Sequence, residues 1–274
     1  MNAPPWPAIV AWFLLTHLSS WPVVSVVLHG VAGLQGVDVQ DLVASGDGTC
    51  AVAGYLGLHW TVAAILGLRI FEAAFDAPTD IRVLLGLFDV SGRSLMVAVA
   101  VTVGLSMALS GGIYALHLDD YGVLAHLRAR FQQAEGARWL LLALLMTLAP
   151  AFGEEFFFRG FVLRTLAARY GAMVAVLGSS LMFAVSHLDP LQSSITFVLG
   201  IAIGWSVLWT GSLWTGIVAH AANNAVAACM VDVGPSLGPP FLAPPVVFMG
   251  TGLILAGSGI WGYRRLTRAR STRI

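Results

Sequence analysis

Long apolar runs separated by short polar breaks dominate this chain. Eight of them, 6–29, 50–68, 94–115, 138–158, 171–188, 193–210, 213–231 and 244–263, have the roughly 17–25 residues that a helix needs to cross a bilayer. Hydrocarbon offers backbone N–H and C=O groups no partner, so runs of this kind satisfy themselves as helices. The pattern therefore predicts an all-α fold, a polytopic membrane helix bundle of about eight transmembrane helices. Tyr170-Gly171 is the natural turn between the fourth and fifth runs. Tyr121 to Phe131 alternates differently and reads as an amphipathic helix lying in the membrane interface. No internal repeat, heptad array or low-complexity tract divides the chain, and residues 1–274 read as a single membrane domain.

Composition agrees: 58% of residues are hydrophobic and 10% are charged, with a mean hydropathy of +0.83, which excludes an ordinary soluble core. The formal net charge is zero, so nothing argues for nucleic acid as a partner; the partner that composition implies is the lipid bilayer. Cys50 and Cys229 lie far apart with no metal-ligand or redox spacing, and both read as packed or lipid-facing thiols. The start of the chain lacks the basic n-region of a secretory signal, so the first run is expected to remain as a span. Arg264, Arg265, Arg268, Arg270 and Arg273 follow the last run with no acid among them, which places the tail in the cytoplasm and the protein in the cell (inner) membrane as a multi-pass chain. Counting back, Asp38, Asp41 and Asp47 fall outside and Arg69, Arg82 and Arg93 inside, while Arg128 and Arg130 break the rule.

Three polar islands interrupt the second half. The first is Glu154-Glu155 followed by Arg159, the second Phe183 and His187, the third His220 and Asn224. Ionisable groups at membrane depth are costly and mark function by default. Glu155 and Arg159 stand four apart with the acid first, the favourable order for a helical ion pair, and are assigned a structural, mutually neutralising role. Glu154 points about 100° away and is left for chemistry. Sixteen residues separate Glu154 from Tyr170, and sixteen separate Gly171 from His187. Both side chains thus lie roughly 24 Å from the same hairpin tip and can meet at one depth. His220 and Asn224 share a helix face, and both can donate hydrogen bonds. Measured from Gly211-Ser212, however, His220 lies only about 12 Å up its helix, short of the other pair. His17, His29, His59, His117 and His126 have no carboxylate or amide at a useful spacing and are expected to be interfacial or packed.

In order and spacing, Glu154-Glu155-xxx-Arg159, Phe183-xxx-His187 and His220-xxx-Asn224 resemble the three motifs of the CAAX-protease and bacteriocin-processing family, also called the Abi family, of intramembrane endopeptidases. The resemblance covers about 138–231, a protease core; 1–137 carry no family signal. It implies a multi-helix glutamic protease without a cofactor, in which the positions of Glu154 and His187 activate water and those of His220 and Asn224 hold the oxyanion. That set matches what peptide hydrolysis without a covalent intermediate requires, a positioned base and donors aimed at the developing charge. Phe156 to Phe158 and Phe183 are suited to excluding bulk water. The substrates implied are prenylated CAAX tails, leader peptides or hydrophobic C-terminal anchors, the last being the target of myxosortase-like bacterial branches.

Two alternatives stand beside this. Glu154, His187 and His220 also form a His₂Glu set that suits zinc with an open fourth position. A non-catalytic scaffold, immunity protein or transporter would use the same islands as interhelical glue, although no paired repeat of the kind transporters carry is present.

Overall fold

The computed structural model describes residues 4–44, 46–72, 80–116, 118, 122–236 and 245–271. Among the described residues twelve α-helices follow in chain order: α1 Trp6–Gln35, α2 Val39–Ala44, α3 Gly46–Glu72, α4 Ile81–Leu85, α5 Gly92–Ala115, α6 Gly122–Gln133, α7 Gly136–Glu154, α8 Arg164–Tyr170, α9 Ala172–Val185, α10 Pro190–Thr210, α11 Leu213–Ser236 and α12 Pro245–Ser271. A π-helical segment, Glu155–Leu163, joins α7 to α8 without a break. Among the described residues there is no strand, and the molecule is a polytopic helical membrane bundle.

Among the described residues, each apolar run read from the sequence is helical over most of its length. Among the described residues, five helices are long and apolar enough to cross a membrane: Trp6–Gln35, Asp47–Phe71, Gly92–Ala115, Gly136–Tyr170 and Pro190–Thr210. Ala172–Val185 and Val247–Tyr263 are apolar but shorter. The fourth run proves far longer than 138–158, because the π segment and α8 carry it on to the expected turn at Tyr170. There Gly171, at φ 81° and ψ 170°, supplies a backbone geometry that L side chains avoid and starts α9 immediately. In the fifth run, α9 stops short of His187, at Val185. In the basic tail, the side chains from Arg264 onward and the whole of Arg273 lie outside the described residues, as do Tyr121 and His117.

Small residues let the helices close on one another. A Cβ on Gly153 would stand 2.3 Å from the carbonyl oxygen of Gly57, and one on Gly57 would stand 2.6 Å from that of Ala149, so α3 and α7 touch backbone to backbone. α5 and α12 do the same: a Cβ on Gly104 or Gly252 would come within 2.5 Å of Ala256 N or Ala108 N. In lipid, such close approach is a main source of helix association. The central apolar core gathers Phe157, Phe158, Phe161, Val162 and Leu163 of the π segment, all fully buried, with Trp60 of α3, Phe13 of α1 and Phe183 of α9. α6 lays its apolar face on the bundle, against α11, α10 and α3.

Candidate active site

The first polar island sits where the α-helix widens. Glu154 ends α7 and Glu155 opens the π segment, a rare helical form that is frequent at functional sites. Glu155 and Arg159 make the ion pair that their spacing predicts, with Arg159 Nη1 donating to Glu155 Oε1 at 2.8 Å and both side chains 0% exposed. Arg159 Nη2 also donates to Gly200 O at 3.2 Å. A Cβ on Gly200 would stand 3.2 Å from that nitrogen, which is why the smallest residue serves there.

Phe183 is the hub of the second island. The Arg159 guanidinium lies 4.5 Å from its ring centroid, within cation–π range. The His187 and His220 rings stand edge-on to it at 5.0 and 5.7 Å. One phenyl ring thus spaces the buried cation and both imidazoles. His187, just past the end of α9, turns Nδ1 onto the carbonyl of Phe183 at 2.9 Å. A carbonyl only accepts, so Nδ1 carries the proton and Nε2 of the neutral ring is left with its lone pair.

The third island departs from expectation in one respect. His220 Nδ1 donates to Glu155 Oε1 at 2.9 Å, while its Nε2 stands 3.8 Å from Glu154 Oε2. Glu155 therefore does more than neutralise Arg159; the same oxygen orients the His220 ring. Asn224 Nδ2 reaches Met146 O at 3.4 Å, and Asn224 Oδ1 accepts from Asn223 Nδ2 at 3.3 Å.

The offset of His220 along its helix is resolved by a stagger of the two hairpins. Arg164 Nη2 donates to Gly211 O at 2.6 Å, and Leu213 N donates to Gly86 O at 2.8 Å. The α10–α11 tip is thus fastened beside Arg164, not beside Tyr170. Glu154 precedes Arg164 by ten residues, and His220 follows Gly211 by nine. Counted from that shared level, both lie about 15 Å away or slightly less.

Glu154, Phe183, His187, His220 and Asn224 all line one cavity of about 550 Å³. Glu154 and His187 face it without bonding each other: no hydrogen bond or ion pair joins them among the described residues. Glu154 keeps 18% of its side chain exposed, in contrast to its buried neighbour. Among the described residues, no group of three or more His, Cys, Asp or Glu side chains is gathered where it could hold a metal ion. Sequence reasoning missed Asn223 and Trp60, which share the cavity wall; the doubled Asn223-Asn224 was the available signal for the first. Of the other histidines, His17 stacks on Phe13 and Trp60, and His59 bonds Thr16 O and Tyr55 OH. His126 is exposed.

Fold and site together define a multi-pass helical membrane protein with carboxylates, imidazoles and a carboxamide around one cavity. Residues 136–226, which contain all three islands, match the family described as type II CAAX prenyl endopeptidase Rce1-like. The uncharacterized protein YpbD of Bacillus subtilis (strain 168) is 31% identical over 177 residues, 62% of this chain and 82% of that relative. The chain belongs to the Rce1-like family, a family of CAAX-type intramembrane proteases. No solved structure matches it.

Proposed function

We propose that this protein is a metal-free glutamic endopeptidase of the cell membrane. It hydrolyses a peptide bond near the end of a membrane-associated protein or peptide, and its arginine-rich tail faces the cytoplasm. The observation that carries the reading is the convergence of Glu154, His187, His220 and Asn224 on one cavity within the bundle. A water held between Glu154 and His187 Nε2 gives up a proton as its oxygen attacks the peptide carbonyl. The oxyanion is met by Asn224 Nδ2 and His220 Nε2, and the retained proton passes to the leaving amine as the C–N bond breaks. Because Nδ1–H of His220 is committed to Glu155, Nε2 donates only when the ring carries both protons, the form that pairs with both carboxylates. Phe183 and the buried aromatics around it keep bulk water out, strengthening each of these contacts.

Glu154→Gln, His187→Ala and His220→Ala are each expected to abolish proteolysis while membrane insertion is preserved. Removing the Asn224 donor is expected to cost about 100–1000-fold in turnover. More than a few per cent of residual activity in any of the first three removes that residue from the site. In the same preparations, active enzyme is expected to hold no stoichiometric zinc and to survive phenanthroline and dialysis. Zinc near one per chain, lost with activity and restoring it, would establish the Glu154, His187 and His220 metalloprotease instead.

A further inference from the structure

Pro150 stands inside α7. A proline there has no N–H to give, and its ring crowds the carbonyl four residues earlier. That carbonyl belongs to Met146, which is left without the backbone donor that an α-helix would supply. Within a membrane bundle a carbonyl freed in this way is satisfied by a neighbouring helix. Asn224 of α11 does so, its Nδ2 donating to Met146 O at 3.4 Å.

Met146, Pro150 and Glu154 recur every four residues and so occupy one face of α7, and all three line the cavity. On α11, His220 and Asn224 are likewise one turn apart. His220 Nε2 stands 3.8 Å from Glu154 Oε2, and Asn224 reaches back to Met146. The two helices thus run antiparallel in matching steps, with the amide set beside the turn that Pro150 opens.

The Asn224 carboxamide is held at its other end as well. Asn223 Nδ2 donates to Asn224 Oδ1 at 3.3 Å. A carbonyl only accepts and an amide NH₂ only donates, so the two bonds fix which way round the Asn224 amide lies. One Nδ2 hydrogen is engaged by Met146 O; the other is left for the cavity that the residue lines. Turned over, the same side chain would present its oxygen to a developing oxyanion and oppose it.

We propose that Pro150 is a positioning residue. By withholding its N–H it reserves the Met146 carbonyl for Asn224, and so aims the Asn224 donor at the oxyanion. This rests on the proteolytic reading above. The test places Pro150→Ala and Pro150→Val, both of which restore the N–H, in the wild-type and Asn224→Ala backgrounds. Full-length protein in proteoliposomes is given a library of apolar peptides, prenylated and unprenylated, and cleavage is followed by mass spectrometry. Both variants are expected to be at least as stable to heat as wild type, because proline is the poorest residue in a helix interior. Their kcat is nonetheless expected to fall about tenfold to a hundredfold with KM nearly unchanged, the pattern of a contact made only in the transition state. In the Asn224→Ala background the same changes are expected to cost nothing further, since the residue they act through is gone.

Wild-type turnover in both proline variants overturns the inference and leaves proteolysis standing. So does an equal loss in the two backgrounds, which assigns Pro150 to the shape of α7 and not to Asn224. Failure of both variants to fold overturns it too, by making the proline a requirement of folding. If wild type cleaves no member of the library, the proteolytic reading falls and the inference falls with it.

Discussion

One oxygen of Glu155 accepts from both Arg159 and His220. Its other oxygen is buried with no hydrogen-bond partner among the described residues, against Gly216, where a Cβ would stand 2.7 Å away. Losing the carboxylate strands Arg159, also fully buried, and breaking one side of such a pair costs about 3–5 kcal/mol. Glu155→Gln and Arg159→Met are therefore expected to lower thermal stability in detergent more than Glu154→Gln, and the double variant to recover part of the loss. Glu155→Gln is also expected to slow turnover in the molecules that remain folded, because His220 loses the partner that orients its ring. Equal melting temperatures across these variants would remove the pair from its structural role. The spacing of Glu155 and Arg159 announced the ion pair, but nothing local announced the bond to His220, which lies 65 residues away.

Among the elements, the most exposed to a single change are α6 and α10, because Asp189 caps both. Its carboxylate accepts from Gln192 N at 2.8 Å at the start of α10 and from Val123 N at 3.3 Å at the start of α6. Gly122 adopts φ +65°, and a Cβ there would stand 2.3 Å from Asp189 Oδ2, so glycine is required where the two helices meet. The Gln192 N–H bond, helped by those of Val123 and Leu191, holds the Asp189 carboxyl below its ordinary value. A depressed folded-state value stabilises the protein above the unfolded value, near 3.9, and the contribution fades as pH falls through the lower folded one. Asp189→Ala is expected to cost about 1–2 kcal/mol as a lost cap and to remove that acid-side decline. Melting temperature followed from about pH 6 to pH 2, a range that brackets the carboxyl titration, checks both. An unchanged acid limb in the variant would show that the cap does not govern it.

At the scale of the whole molecule, the half of the chain without recognisable motifs completes the site. Where α3 and α7 touch at Gly57 and Gly153, one further turn brings Trp60 against Phe157, with ring centroids 4.7 Å apart. Trp60 and Gly57 then form cavity wall opposite residues of the motif-bearing helices. Gly153→Val forces its side chain into the Gly57 backbone and is expected to destabilise the protein by at least the 1–3 kcal/mol typical of overpacking, roughly estimated. Turnover is expected to fall with it, since α3 is moved away from Glu154. Unfolding in detergent together with peptide cleavage by the folded fraction checks this; a stable, fully active valine variant would mean that the contact is dispensable.

Hydropathy alone determined the helical membrane architecture, because hydrocarbon forces long apolar runs to satisfy their own backbone. Local spacing was enough to expose the Glu155–Arg159 pair, the turn at Gly171 and the three islands, since four-residue periodicity and glycine stereochemistry act within a few residues. Tertiary structure decided the rest. The π segment preserves the apolar pattern of an α-helix and leaves no mark in periodicity. The stagger of the two hairpins depends on Arg164 reaching Gly211, a contact between distant residues that places His220 beside both glutamates. Which face of the amphipathic helix α6 meets the protein is settled by packing partners far away in the chain, and that face carries Leu124, Leu127 and Phe131 on the cavity wall.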